Sequence, residues 1–398
     1  MSARTETDIG RALGTDYLLL RQELTDEELD YLERTRRFVD DEVLPVMPGY
    51  WERAELPLEL IRRLGELGLV GDGIDGYGCP PMSPVAAGLI QMELSRGDGS
   101  LATLLGVQAG LAMRSIAAFG TEEQKQRWLP AMAQMEALGA FALTEPEHGS
   151  DSVALETTAR CEGQEYVIDG AKRWIGNGSV ADVIVVWARD SADGQVKGFL
   201  VEGDTPGYHA RLIEGKGSVR SVWQADIEPD GVRVPVSARL PGASSFTDVG
   251  RVLAATRLTC AFAALGHAVG AYDAALNYCR ERRQFGRPLV GFQIVQERLV
   301  KMLAEVTAMQ LYCLRVGRLG EEDQLRDTIA GLAKMNNTTR ARQVIAQARD
   351  LLGGNGILLE NHVIRHMADI EAIHTFEGTE TMQTLIVGRD ITGMSAFR

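Results

Sequence analysis

Thr375-Phe376-Glu377-Gly378-Thr379 stands about 20 residues beyond Leu352-Gly353-Gly354-Asn355-Gly356. The later stretch sets one carboxylate beside a glycine and a threonine. The earlier one is a glycine cluster whose bare backbone N–H groups can come up to a phosphate. A base next to a phosphate-rich cofactor points to proton abstraction coupled to redox chemistry. Each piece alone is ordinary, because an isolated Glu-Gly-Thr is usually a helix end and a lone Gly-Gly-x-Gly is usually a turn. Their order, and the segments upstream, carry the reading.

The chain has 398 residues, enough for two or three packed domains. With 45% hydrophobic and 24% charged residues it is an ordinary globular composition, which excludes a disordered chain. The formal net charge is -14 and no long basic run breaks it, which argues against a nucleic-acid partner or an anionic membrane surface. A polyanionic ligand must therefore be held by local arginines and helix N-termini against the global field. Cys79, Cys161, Cys260, Cys279 and Cys313 are scattered, with no CxxC pair. That fits a reducing compartment and buried thiols rather than disulfides or zinc. Residues 1–22 carry mixed charge and no long apolar core, and no uncharged apolar run reaches a membrane-spanning length of roughly 20 residues. The expectation is a cytoplasmic protein without membrane insertion.

The N-terminal third reads as helices. Thr25-Asp26-Glu27-Glu28 is a capping box, followed by Leu29, Leu32, Val39 and Val43 at near-helical spacing until Pro45. Further helical runs are predicted over 57–69, 84–96, 101–119 and 122–135, with Pro57 and Pro84 placed at first helical positions. Residues 71–83, rich in glycine and proline, read as a loop. From Gly139 to about Asp248, short Val/Ile/Thr runs alternate with turn residues, as a compact antiparallel barrel or sandwich would require. After Gly250 the texture is helical again, with runs over 253–282, 292–320, 324–352 and 379–391. The expected architecture is mainly α with a central β-barrel: a helical domain over 1–138, a β-barrel domain over 139–249 and a helical bundle over 250–398.

Four segments carry candidate chemistry. Glu377 is the candidate base, although a Glu at a helix start is most often a cap or dipole partner. The segment from Phe141 through Leu143, Thr144, Glu145, Pro146, Glu147, His148, Gly149 and Ser150 to Asp151 offers hydroxyls for a planar heterocycle and a phosphate; the bland alternative is a capped loop. Lys172-Arg173-Trp174-Ile175-Gly176-Asn177-Gly178 offers a tryptophan for stacking, although core tryptophans are commoner. Arg280-Glu281-Arg282-Arg283-Gln284-Phe285-Gly286-Arg287 is unusually rich in arginine for an acidic chain. It suits pyrophosphate, or simply a cation-satisfied helix end. His362 and His366 stand four apart, but no third ligand is evident, and they read as helical surface histidines with no metal.

Taken in order, these segments resemble the acyl-CoA dehydrogenase and acyl-CoA oxidase superfamily over nearly the whole chain. Gly76-Tyr77-Gly78-Cys79-Pro80, Arg173-Trp174-Ile175-Gly176-Asn177 and Gly388-Arg389-Asp390-Ile391-Thr392-Gly393 look most like glutaryl-CoA dehydrogenases and plant short-chain acyl-CoA oxidases. The resemblance implies bound FAD, a homotetramer, an electron-transfer flavoprotein as partner and a place in fatty-acid β-oxidation. It implies that Glu377 removes the α-proton of an acyl-CoA thioester while the β-hydrogen leaves as hydride to the flavin. Enclosing Glu377 against substrate and flavin is expected to strengthen it as a base. By resemblance, cofactor contacts fall on Phe141, Leu143, Thr144, Gly149, Ser150, Trp174, Ile175, Gly176, Thr379 and Thr381. Arg282, Phe285, Gln293, Asp350, Leu351, Gly353 and Gly354 match residues gripping adenine and pyrophosphate across a subunit interface. Ser150, Ala102, Thr103, Arg257 and Gly378 match positions beside the acyl-CoA.

The chain departs from the family's patterns in two places: at the glutaryl-CoA dehydrogenases' Arg-Ser pair and at a threonine that many dehydrogenases carry. Ala102 and Thr103 stand where those enzymes carry an Arg-Ser pair for the distal carboxylate. An unpaired carboxylate in an apolar pocket is costly, which favours a neutral short or medium acyl chain over glutaryl-CoA. Gly176 stands where many dehydrogenases carry threonine near the flavin, as in the plant oxidase, so O₂ is the alternative electron acceptor.

Overall fold

The computed structural model describes residues 16–396. The described chain falls into two compact units. Among the described residues, the first draws on 16–52, Pro84–Gly99 and 258–396, the second on Arg53–Ser83 and Ser100–Arg257.

The first unit begins with α1 (Asp26–Phe38). Its capping box is complete: the Thr25 hydroxyl accepts from Glu28 N–H at 3.3 Å, and the Glu28 carboxylate accepts from Thr25 N–H at 2.8 Å. Such a cap satisfies two of the four orphan donors and is worth about 1 kcal/mol. One wide turn, in which Leu44 N–H donates to Val39 C=O, then leads into the turn at Pro45, and α2 (Met47–Arg53) follows. In the second unit α3 (Leu58–Glu66) precedes the Gly/Pro loop. The chain then runs through α4 (Pro84–Gly97), α5 (Gly99–Leu105), a second wide-turn segment Gly106–Met113, α6 (Arg114–Phe119) and α7 (Glu122–Ala133).

The β region forms two sheets. β1 (Gly139–Ala142), β2 (Thr158–Glu162), β3 (Glu165–Asp169), β5 (Val183–Asp190), β6 (Val196–Glu202) and β9 (Val232–Pro235) make one, ordered β1-β5-β2-β3-β9 with β6 also on β5. β4 (Lys172–Gly176), β8 (Gln224–Pro229) and β7 (Tyr208–Leu212) make the other. Val183–Ala188 is buried on both faces, as its uninterrupted Val/Ile run requires. One expectation is corrected here. The sheets are mixed rather than antiparallel, since β1 and β2 both run parallel to β5. Together the strands form a curled half-barrel.

The helical part of the first unit is built on α8 (Phe246–Glu281), whose residues from Leu258 onward lie in it. A two-strand hairpin, β10 (Arg283–Gln284) and β11 (Arg287–Pro288), leads to α9 (Gln293–Glu321), α10 (Asp327–Leu351), α11 (Val363–Thr375) and α12 (Glu380–Thr392). Small residues let these helices close: a Cβ on Gly88 would meet the Phe262 ring at 2.3 Å, and one on Gly266 would meet Met92 C=O at 2.1 Å. Two helical stretches, Gly99–Phe119 and Phe246–Glu281, are long and apolar enough to cross a membrane. Their most apolar windows are 61% and 78% buried, the burial expected of core helices.

Two smaller expectations also change. Four of the five cysteines are buried free thiols, but Cys161 is exposed on β2. His366 is not a surface residue: α11 turns Val363, His366, Ile370 and Ile373 inward, and His366 is 1% exposed. Its Nδ1 lies 2.9 Å from Nδ1 of buried His267. Burial drives His366 well below the usual imidazole range and His267 down to about 3, so both rings are neutral. Among the described residues no group of three His, Cys, Asp or Glu is arranged to hold a metal.

Candidate active site

In the second unit, buried Gln108 on the wide-turn segment fixes β1. Its Oε1 accepts from Gly139 N–H at 2.6 Å, and its Nε2 donates to Met132 and Ala137 C=O at 3.0 and 2.8 Å. Phe141 is buried in that strand opposite Val185. The chain beyond it is held as an accessible ledge rather than a loose loop. Arg173 N–H donates to Thr144 C=O at 2.8 Å, and the buried Lys172 Nζ donates to Leu143 C=O at 3.0 Å. Lys172 also pairs with Glu145 at 2.9 Å, while Glu145 accepts from the N–H groups of Glu156 and Thr157 at 2.6 and 2.9 Å. Burial opposes the Glu145 charge, but Lys172 and the two N–H donors outweigh it and hold the carboxyl down to about 2. Burial brings Lys172 down to about 8, with Glu145 partly opposing the shift. Thr144 is half-buried on this ledge, and Gly149 and Ser150 are exposed at its end.

Trp174 sits where the β4–β8 register shifts, between Lys172 and Ile175. Its backbone is left-handed, φ 63°, and its ring is 49% exposed with the Arg173 guanidinium 5.1 Å from the centroid. A bulky residue in this region is strained, and such strain collects at functional sites. Ile175 turns back into the core, and Asn177, also left-handed at φ 62°, is fully buried with its Nδ2 donating to Gly139 C=O at 3.1 Å. Gly176 does not leave a void. A Cβ there would meet Val107 Cγ2 at 2.8 Å, so Val107 already takes the space of the absent side chain. Ala102 is buried in α5, Thr103 is half-buried beside it, and Arg257 is buried on α8.

In the first unit, Glu377 lies in the short link between α11 and α12. It is left-handed, φ 55°, and Gly378 follows at φ 84°. A Cβ on Gly378 would stand 2.5 Å from Gln383 Nε2, so only glycine fits. Thr379 caps α12, its hydroxyl accepting from Met382 N–H at 3.2 Å, and Thr381 is exposed on the first turn. The link is tied by two side chains that the sequence reading did not single out. Buried Lys334 donates through Nζ to the carbonyls of Phe376 and Gly378, and buried Gln383 donates to Glu377 C=O at 2.9 Å. A signal was present: Lys334 interrupts the buried stripe Ala330, Asn337, Ala341 on α10.

Arg282 directly follows α8, its N–H donating to Tyr278 C=O at 2.8 Å, and leads into the hairpin tipped by Phe285 and Gly286. Arg282, Phe285 and Gln293 are all exposed, Phe285 by 93%. The glycine loop is pinned to the same helix end, since Asn355 Nδ2 donates to the Tyr278 hydroxyl at 2.9 Å. Gly353 and Gly354 face open space, Asp350 is exposed and Leu351 is buried. Each unit taken by itself carries groups whose chemistry suits part of an FAD: the second a strained half-exposed indole and a fixed hydroxyl-bearing ledge, the first arginine and open glycine N–H groups.

Comparison with known proteins agrees with this geometry. Residues 25–136, 140–232 and 246–392 match the acyl-CoA dehydrogenase N-terminal, middle and C-terminal domains. The chain is 33% identical to a probable acyl-CoA dehydrogenase of Bacillus subtilis, over 93% of this chain and 99% of the relative. It is 32% identical to the mitochondrial short-chain specific acyl-CoA dehydrogenase of Homo sapiens, over 92% and 90%. Among solved structures it resembles glutaryl-CoA dehydrogenase from Mycobacterium smegmatis (TM-score 0.94, 43% identity, 96% of this chain and 99% of that one). A glutaryl-CoA dehydrogenase of the same organism in complex with FADH2 matches with a TM-score of 0.93 at 38% identity, over 95% and 97%. A chain from the structure described as the electron transferring flavoprotein of Acidaminococcus fermentans matches with a TM-score of 0.89 at 29% identity, over 93% and 98%. The strained indole, the tethered glutamate and three consecutive domain matches converge: the chain belongs to the acyl-CoA dehydrogenase family, and FAD is its cofactor.

Proposed function

We propose that this protein removes the α-proton and β-hydride of a short- or medium-chain, uncharged acyl-CoA, giving the trans-2-enoyl-CoA, with Glu377 as the base. The observation that carries the assignment is the Glu377 link, where a left-handed carboxylate-bearing residue is held by ties on three consecutive carbonyls. Bound FAD supplies the hydride acceptor. The α-proton of a thioester is too weakly acidic for an unaided carboxylate, so hydrogen bonds to the thioester oxygen must stabilise the developing enolate. The Glu377 backbone N–H is one such donor. By the family resemblance, Thr144, Ser150, Trp174 and the Gly176 backbone would hold the flavin end, with Phe141, Leu143, Gly149 and Ile175 in the same segments, and Thr379 and Thr381 match further cofactor contacts. Arg282, Phe285, Gln293, Asp350, Gly353 and Gly354 grip its adenine and pyrophosphate from a second copy in a homotetramer. Their exposure in the single chain supports this reading. The two sheets are read as walls of one central barrel, supported by Gly170 N–H donating to Pro229 C=O at 3.0 Å.

Acyl-chain choice follows from α5. Buried Ala102 and half-buried Thr103 supply no cation for a distal carboxylate, and by the family resemblance Arg257 and Gly378 match positions beside the acyl-CoA. The 43% identity to glutaryl-CoA dehydrogenase favours glutaryl-CoA as the second reading. Electrons pass to an electron-transfer flavoprotein in the cytoplasm. Val107 beside Gly176 supports this over O₂, because it closes the space that oxygen would need. Anaerobic addition of butyryl-CoA and glutaryl-CoA, followed by air, tests the whole reading. Butyryl-CoA bleaches the flavin faster, and peroxide forms far below the turnover rate. Equal bleaching by glutaryl-CoA would reinstate the second reading, and stoichiometric peroxide would make the enzyme an oxidase.

A further inference from the structure

We propose that Lys334 and Gln383 are positioning residues that aim the Glu377 carboxylate, so that proton abstraction depends on two buried side chains carried by the helices α10 and α12. The inference rests on Glu377 being the base. Three consecutive carbonyls around that residue have side-chain donors. Lys334 Nζ, reaching from α10, donates to Phe376 and Gly378 C=O, while Gln383 Nε2, reaching back from α12, donates to Glu377 C=O at 2.9 Å and Gly378 C=O at 3.3 Å. Both donors are buried, at 1% and 0% exposure, and it is their nitrogens, Lys334 Nζ and Gln383 Nε2, that these carbonyls satisfy.

The link needs such ties. Glu377 and Gly378 are both left-handed, and a non-glycine residue held there persists only where its surroundings over-determine it. The Lys334 ammonium also sits at the C-terminal end of α11, where Phe376 N–H takes Ala372 C=O and a cation is favoured. Gln383 is itself fixed by α12 and fills the space a Gly378 side chain would enter. Rotation of Glu377 about its backbone therefore requires breaking donors on both flanks. A base displaced by about 1 Å from its target carbon can lose on the order of 100-fold in rate without losing binding.

The test uses Lys334→Met and Gln383→Met in the FAD-loaded enzyme with butyryl-CoA, beside Glu377→Gln. Each variant is expected to keep its flavin and to hold KM within about threefold while kcat falls about 10- to 100-fold. The kinetic isotope effect on α-deuterated substrate should rise above that of the parent, because proton removal becomes more fully rate-limiting. Should Lys334→Met not fold, Gln383→Met reads the same tie from the other side. Parent-like kcat in the folded variants would overturn the proposal. So would a fall in kcat that only tracks flavin loss, or failure of both variants to fold, since the ties would then serve folding alone. Glu377→Gln separates the two claims: if it turns over like the parent, the base assignment itself fails; if it is inactive while the other variants are parent-like, only the positioning role fails.

Discussion

Replacing Lys172 by methionine keeps most of the side-chain volume and removes the cation from a pair in which both partners are buried. Glu145 would retain its two backbone donors at 2.6 and 2.9 Å but lose the ammonium at 2.9 Å, and Leu143 C=O would lose its donor at 3.0 Å. Removing one member of a buried ion pair typically costs roughly 3–5 kcal/mol. The two surviving N–H bonds place the loss near the lower end, about 3 kcal/mol, which at about 2–4 °C per kcal/mol lowers the melting temperature by about 6–12 °C. The pH dependence has a definite sign. With Lys172 present the carboxyl titrates at about 2, so its pairing is intact at any pH above its unfolded value. Without Lys172 burial dominates and raises the carboxyl, so the penalty on the variant shrinks as pH falls and the carboxyl protonates. Thermal unfolding of parent and variant, with flavin release followed by fluorescence at about pH 7.5 and about pH 5, reads both effects. The double variant Glu145→Gln/Lys172→Met removes the unpaired charge and should melt above Lys172→Met. A single variant that melts within about 2 °C of the parent, or a double variant that melts lower than the single, would refute the reasoning.

Arg282→Ala is expected to weaken FAD retention and loosen the oligomer together, at a cost of about 1.5–3 kcal/mol for a lost charge-assisted contact; gel filtration with absorbance at the flavin band checks it, and a fully flavinated tetramer after dilution would contradict it. Acidification should destabilise the protein from below the ordinary imidazole pKa of about 6.5, because His267 titrates at about 3 when folded and the unfolded chain binds the extra proton in between. The stability is present above that window and falls through it, by about 2 kcal/mol at pH 5 from His267 alone. Denaturant unfolding at successive pH values measures the slope, and a flat profile between pH 7 and pH 5 would contradict a neutral buried pair.

The sequence was most legible where chemistry and backbone geometry use the same residues. Glu377-Gly378 announces a turn that only glycine can complete, and the Thr25 capping box is local by construction, so both are visible in a few residues. Trp174 was visible as a candidate for stacking, but not the register shift and left-handed backbone that expose its ring. Those depend on β8, some fifty residues further along the chain. The parallel pairing of β1 and β2 with β5 was hidden for the same reason, since alternation of apolar residues does not encode strand direction. His366 was misread as a surface residue because its burial comes from long-range packing of α11. Its spacing from His362 fits either face of a helix. Lys334 was overlooked because a lysine in a helix is ordinarily a solvated charge. Only the tertiary fold places its ammonium against the carbonyls of Phe376 and Gly378. Gly176 suggested an opening in the sequence, and the structure fills it with Val107, a residue from another element.

The most direct test of the central claim is flavin reduction by butyryl-CoA under anaerobic conditions in Glu377→Gln. The amide is nearly isosteric with the carboxylate but cannot take the α-proton. The variant should purify yellow, bind butyryl-CoA with the parent's affinity and fail to bleach. Bleaching at a rate close to the parent's would place the base elsewhere and contradict the account.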